Sequence, residues 1–255
     1  VAQAATASAT FAEASWNFVN LPQMLDTYMQ TLSFEQWYRF DQTKKIRNYG
    51  TGGNAETAWA FNGSATTDIL GGRQGSGALV IYGQQGNTVP LAFGVNQPYS
   101  TEITDNEFAI GFWFKAESGF GDKLADIIKY YNPFGSDYYN LRIRNTGYVE
   151  WTMQGNQQNQ VVHLTNVADG NWHFIHARAS TSGNTISINV DNGTAVSTTT
   201  NGTWPSVSAL TFGNVLNSGT NNKKGYISHY WVNGYSTITS TQIGNMITYA
   251  GTPIQ

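Results

Sequence analysis

The chain has 255 residues, enough for one large β-sandwich or two small domains. Only 11% of residues are charged, the net charge is −3 and no basic run occurs, which leaves nucleic-acid binding with little electrostatic support. There is no cysteine, which excludes disulfides and thiolate metal sites, and no apolar run approaches the roughly 18 residues of a membrane-spanning helix.

Burial alone must therefore hold the fold, and aromatics at 14% can supply a large core. With abundant Asn, Thr, Ser, Gly and Gln, this profile fits an extracellular or virion-surface β-protein better than a cytosolic enzyme. The missing cysteines tilt the source toward bacteria or phage.

Residues 1–19 read as a linker or arm. Val1 to Thr10 is rich in Ala, Thr and Ser, with no basic start and no long apolar centre, so it does not read as a signal peptide. Phe11, Trp16 and Phe18 are unusual for a free tail. They either pack back on the domain or dock on a neighbouring subunit, and both readings stay open. Asn20 can cap a short helix with Pro22 in its first turn, and Met24, Leu25, Tyr28, Met29 and Leu32 then repeat at helical spacing. The division that follows is an arm and helix over 1–33 and a sandwich over 34–255.

Strands are expected at Phe34–Phe40, Ala58–Phe61, Asp68–Leu70, Gly77–Tyr82 and Thr88–Phe93, with 94–106 as a loop containing Pro98. Glu107–Lys115 is apolar on both faces, as a central strand should be. Leu124–Tyr131 and Tyr138–Arg144 flank the loop 132–137. Gly147–Met153 places Val149, Trp151 and Met153 on one face, and Gln160–Val167 leads on.

The centre of the chain is Asp169-Gly-Asn-Trp-His173 followed by a strand, a Thr-Ser-Gly-Asn bend and a second strand. There Ile186, Ile188 and Val190 alternate with polar residues, and Asp191-Asn192-Gly193 closes the unit with residues that tolerate positive φ. Thr194–Thr200, Val207–Phe212 and Gly225–Val232 complete the sheets. Thr239-Ser-Thr-Gln242 fits a capping box for a last helix whose apolar face is Ile243, Met246 and Ile247.

Four stretches carry a resemblance. The central unit resembles the "DG-x-W-H … V-D-G" hairpin of laminin-G-like domains in the concanavalin-A-like lectin/glucanase superfamily, with Asn192 inserted before the last Gly. Gly77–Gly83 is similar to the early "G-x-A-L-x-F-x-G" strand, Phe108–Lys115 to "F-T-I-x-x-W-F-K", and Lys224–Asn233 to the last strand. Trp37–Asp41 and Ile238–Ile243 resemble the opening and closing segments of such domains. The resemblance runs from about Phe34 to Ala250. It implies an all-β fold, an antiparallel two-sheet jelly-roll β-sandwich of the concanavalin-A-like kind with one short helix at each end. Domains of this look, poor in charge and without cysteine, are common in phage tail, fibre and virion-surface proteins.

The same resemblance frames the search for chemistry. The glucanase branch carries Glu-x-Asp-x-x-Glu, whereas Glu102, Asp105 and Glu107 have the wrong spacing and sit at a strand entry, so they read as a solvated loop and no catalytic residue is assigned. His173 and His176 lie three apart on one strand and point to opposite faces, which disfavours a metal pair. The Gly-rich run 71–77 precedes a strand and has no helix N-terminus with which to cradle phosphate. Calcium, which many relatives bind at one rim, would draw on Asp105, Asn106, Asp122, Asp126 and Asp137, and no ligand set is assigned.

Sugar binding is the main positive expectation. Sugar sites use aromatic faces and planar amides, and Tyr130, Tyr131, Asn132, Tyr138 and Tyr139 supply that mix, joined by Asn156 and Trp204. The same tyrosines equally suit loop packing or a subunit interface. The reading is a non-enzymatic structural or attachment domain, outside the cell or on a virion, in a multi-copy assembly that grips host polysaccharide or neighbouring surface proteins. A secreted carbohydrate-binding module is the first alternative, and a glycoside hydrolase or lyase on the same fold is the second.

Overall fold

Period-two alternation sorts the side chains of most strands into an inward and an outward set, and two antiparallel sheets face each other across the inward set. The structure is a computed structural model that describes residues 25–42, 46–51, 60–61, 66–73, 76–82, 85–86, 95–98, 106–118, 120, 125–213, 219–220, 223–234 and 238–250. Phe11, Trp16, Phe18, the cap at Asn20 and Pro22, the strand expected at 88–93, and Glu102, Asp105 and Asp122 lie outside these residues.

The strands in chain order are β1 (Gln36–Tyr38), β2 (Ala60–Phe61), β3 (Thr66–Asp68), β4 (Ala78–Tyr82), β5 (Gln85–Gly86), β6 (Val95–Pro98), β7 (Phe108–Ala116), β8 (Ala125–Tyr131) and β9 (Tyr138–Ile143). They continue as β10 (Tyr148–Gln154), β11 (Gln158–Asn166), β12 (Trp172–Ser180), β13 (Thr185–Val190), β14 (Val196–Thr199), β15 (Ala209–Phe212), β16 (Gly219–Thr220) and β17 (Lys224–Gly234). Residues 25–31 form helix α1, and α2 is Ser240–Ala250. One sheet runs β14-β13-β12-β7-β17-β4-β3, with β1 also paired to β17, and the other runs β11-β10-β9-β8-β15-β6-β2. The short β5 and β16 pair with each other.

The main core lies between the sheets. From β7 it takes Phe108, Ile110, Phe112 and Phe114; from β10 it takes Val149, Trp151 and Met153, all at most 2% exposed. Each such side chain contributes about 1.5–3 kcal/mol by leaving water. The alternate residues of β7, Ala109 and Trp113, face the other way. There Leu25 and Met29 of α1, Phe34, Trp37, Phe174, Trp231 and the α2 residues Ile243 and Met246 build a second core. The middle strands β7, β12 and β17 of the eight-stranded sheet are thus covered on both faces, which explains the continuous apolar run of β7.

Local chemistry sets the ends of these elements. Residues 181–184 form the bend between β12 and β13, with Asn184 at positive φ, and Asp191 and Asn192 are both left-handed at the close of the hairpin. Thr239 N donates to Gln242 Oε1 at 2.8 Å and Gln242 N donates to Thr239 Oγ1 at 3.2 Å, the reciprocal pair of a capping box.

Three strand expectations are corrected. Asp68–Leu70 is not a strand: β3 ends at Asp68, and Ile69 and Leu70 sit exposed in the bend that follows. Only Gln36–Tyr38 of the first expected strand is extended. Residues 95–98, expected in a loop, form β6, with Pro98 at its end beyond the two residues paired to β2, where a missing N–H breaks no ladder on that side.

Candidate functional site

The outward set of the seven-stranded sheet is polar, and the register places it in rows. Tyr131 of β8 lies opposite Tyr138 of β9, which is followed across the sheet by Gln154 of β10 and Gln158 of β11. The next row is Thr211, Lys129, Asn140, Thr152 and Gln160. The third places Asp126, Arg142, Glu150 and Val162 side by side.

The first two rows meet at the β8–β9 hairpin. Lys129 Nζ lies 4.8 Å from the centre of the Tyr138 ring and 5.9 Å from that of Tyr131, a cation shared between two π faces. Both rings are half-buried, and Gln158 Nε2 donates to Tyr138 Oη at 3.4 Å. Burial raises the Tyr138 pKa, with Arg142 opposing, so the phenol stays a donor. The hairpin loop is shaped by Asn132, whose Oδ1 accepts from Phe134 N at 2.9 Å and whose N donates to Asp137 O at 2.9 Å. That turn carries Phe134 to the tip, 97% exposed.

The third row holds the strongest charges. Glu150 is 1% exposed, and each of its carboxylate oxygens receives a guanidinium, Oε1 from Arg142 and Oε2 from Arg144, while Thr152 Oγ1 donates to Oε1 at 2.9 Å. Burial alone would raise the Glu150 pKa, and the two arginines outweigh it and hold the carboxyl below its usual range. Asp126 moves the opposite way: burial raises its pKa against a 2.8 Å hydrogen bond from Asn140 Nδ2 and the charges of Lys129 and Arg142. Asp126 and Glu150 flank Arg142 in this row, and Glu150 has both oxygens clamped, which marks an ion network. Glu107, expected in a loop, accepts from Thr181 Oγ1 at 2.8 Å and from Ser182 N, and so fastens the β12–β13 bend.

Of the residues expected to touch sugar, the structure brings Tyr131 and Tyr138 together on the outer face and removes two. Tyr130 and Tyr139 are fully buried in the core: Tyr130 Oη bonds Tyr230 Oη, and Tyr139 Oη donates to Asn106 Oδ1 at 2.5 Å and stacks on Trp151. In each Tyr-Tyr pair, strand alternation sends one ring in and one out. Asn156 is exposed, but its Oδ1 accepts from Thr203 N at 2.7 Å and its N donates to Thr203 Oγ1 at 3.1 Å, which ties the β10–β11 turn to the segment before β15. Trp204 is half-buried against the main core. Asn140 and Gln158, from the same loop and the next turn, belong with the expected sugar-binding amides, whereas Lys129, Arg142 and Glu150 were not expected here. Their signal is the period-two polar spacing of Tyr138, Asn140, Arg142 and of Glu150, Thr152, Gln154.

The calcium candidates that are described do not form a cation site. Asn106 accepts from Tyr139, Asp126 from Asn140, and Asp137 from Ser206 N at 3.0 Å. No group of three or more His, Cys, Asp or Glu side chains among the described residues can hold a metal. The central motif is structural: His173 lies between Asp169 and Asp191, and Asp191 Oδ1 also accepts from Phe174 N at 2.8 Å. His176, on the opposite face, is buried, and burial drives its pKa far down.

The family model described as the laminin G domain matches residues 127–233, which span β9 to β16 and most of β8 and β17. No curated protein matches the sequence. Among solved structures, the botulinum neurotoxin type G receptor binding domain is similar at 11% identity and a TM-score of 0.64, over 85% of this chain and 51% of that one. The binding domain of paraclostridial mosquitocidal protein 1 is similar at 11% identity and a TM-score of 0.64, over 84% and 52%. The receptor binding domain of botulinum neurotoxin D is similar at 12% identity and a TM-score of 0.63, over 87% and 53%. This chain therefore spans about half the length of those chains, and the likeness is one of fold. Residues 127–233 thus carry a laminin G-like domain, set in an antiparallel jelly-roll β-sandwich.

Proposed function

We propose that the chain is a non-enzymatic attachment domain, displayed on a virion or cell surface, that binds carbohydrate. The observation that supports this reading best is the Tyr131–Tyr138 pair: two adjacent half-buried rings on an outer sheet face, with Gln158 and Gln154 in the same row. Such rings present apolar faces to the C–H face of a sugar, while planar amides bind its hydroxyls. Phe134 at the hairpin tip adds an exposed aromatic beside them. The similar solved structures are named as receptor binding domains, which accords with a binding role. A hydrolytic reading would need Asp126 and Glu150, and the double guanidinium clamp on Glu150 weighs against it.

The surface and multi-copy aspects rest on the composition and on Phe11, Trp16 and Phe18. Many copies would turn weak single contacts into tight adhesion. The test is a glycan array probed with the domain presented multivalently, in calcium and in EDTA. Specific binding that survives EDTA and falls with Tyr138→Ala is the expected result. Binding that EDTA abolishes would move the site to a cation rim, and no binding across a broad array would overturn the carbohydrate reading. Deleting residues 1–19 should lower the oligomer mass, and an unchanged mass would remove the arm from assembly.

A further inference from the structure

The two sheets end in four strands, β14 and β3 in one, β11 and β2 in the other. Three of these are short: β3 has three residues, β14 four and β2 two. β11 has nine, Gln158–Asn166, and it lacks the usual protections of an edge, since it holds no Lys, Arg, Asp, Glu or Pro. Its irregularity comes only at the end. Val149 pairs with His163 and Tyr148 with Asn166, which leaves Leu164 and Thr165 bulged and Gln158–His163 regular. Among the described residues β11 pairs with β10 alone. Asn159 Nδ2 donates to Asn201 O at 2.8 Å, its Oδ1 accepts from Asn201 N at 2.9 Å, and His163 Nε2 lies 3.3 Å from Thr194 O. These ties use side chains and leave the outer main-chain edge unpaired. They also bring β11 to the same side of the sandwich as β14. No Asp, Glu, Lys or Arg occurs from Trp151 to Ala168 or from Asn192 to Asn222, so this side is neutral, and it shows Leu164, 70% exposed, and an exposed Val196.

We infer that β11 pairs with β11 of a second copy, antiparallel about a twofold axis, so that the two seven-stranded sheets join into one. The chemistry of the edge selects a copy of itself. A twofold contact sets each residue near the axis against its own counterpart, where a charged edge would repel itself and this one does not. Gln160 is exposed on the outer face, and its amide both donates and accepts, so an identical amide completes it. Directly opposite residues share a face, so the axis passes through a residue, Gln160 or Val161, in the middle of the regular stretch. The pairing turns the outer faces of both copies the same way. Tyr138, on β9, then lies roughly 24 Å across the strands from its counterpart in the second copy, and the pair presents two tyrosine faces to one surface. The inference deepens the multi-copy part of the proposed function and is independent of the ligand.

The test is sedimentation of the full chain over a range of concentrations, for wild type, Gln160→Lys and Ser197→Lys, with thermal melts to confirm folding. The expected result is self-association that Gln160→Lys weakens about tenfold or more, that Ser197→Lys on β14 leaves unchanged, and that persists as a dimer once residues 1–19 are removed. Because the chain has no cysteine, one introduced thiol reports its own neighbour. A short bismaleimide should link Gln160→Cys to itself or to Val162→Cys, and should not link Ser240→Cys on α2. An oligomer that survives Gln160→Lys, or that is lost with Ser197→Lys or with residues 1–19, overturns the β11 pairing and leaves the multi-copy reading standing. A monomer at every concentration overturns both.

Discussion

His173 Nδ1 lies 2.7 Å from Asp191 Oδ2, so the histidine that opens the central hairpin is bound to the aspartate that closes it. On the other side of the ring, Nε2 lies 3.0 Å from Asp169 Oδ1. Burial alone would lower the histidine pKa, and the two carboxylates outweigh it and raise the pKa above 6.5. A group whose folded pKa is raised contributes stability that is fully present below the unfolded value and is lost as pH rises through the folded value. The urea midpoint should therefore fall as pH is raised from below to above the ordinary histidine range. His173→Gln should flatten that slope and lower stability at acid pH by about 2 kcal/mol. An identical slope in the variant would count against this account.

The Glu150 clamp makes a second prediction. Glu150→Gln removes the one carboxylate shared by two guanidiniums and leaves them facing each other on a crowded surface. Breaking a buried pair in this way should destabilise by about 3 kcal/mol. Arg144→Met, at the more exposed end, should cost clearly less. Chemical denaturation of both variants measures the difference.

Neighbouring tyrosines should separate stability from binding. Tyr139→Ala empties a core position stacked on Trp151 and should cost about 3–5 kcal/mol. Tyr138→Ala, one residue away on the outer face, should leave the melting temperature nearly unchanged and abolish glycan binding. A Tyr138→Ala protein that unfolds like Tyr139→Ala would remove the outer ring from any binding role.

Gly111 is fixed by packing. A Cβ built there would run into the indole of Trp231, at the point where β7 pairs with β17. Gly111→Ala should lower stability by about 1–3 kcal/mol through overpacking. Combining it with Trp231→Phe should recover part of the loss.

Much of the fold was written in local chemistry. The bend at 181–184, the left-handed Asp191 and Asn192 and the capping box at Thr239 need only nearby residues, and each stands where the sequence places it. The phase of the tyrosine pairs was also available, since Tyr139, Leu141 and Ile143 share parity and only one parity can face a core. Treating both tyrosines of each pair as a sugar surface ignored that. The union of Arg142 with Glu150, and of Lys129 with Asn140, depends on which residue pairs with which across strands. That register emerges only when the sheet closes. Leu70 misled for a simpler reason: an apolar residue in a bend resembles the end of a strand.

The middle of the eight-stranded sheet, packed on both faces, separates the molecule in time. A wet face lets a strand open alone, and β7, β12 and β17 have none, so their amides should exchange with solvent only when the whole domain unfolds. The seven-stranded sheet keeps one face polar, and its outer strand β11 ends the ladder. Local openings will begin there. The seven-stranded half can breathe on its own schedule while the half beneath the helices keeps the frame closed.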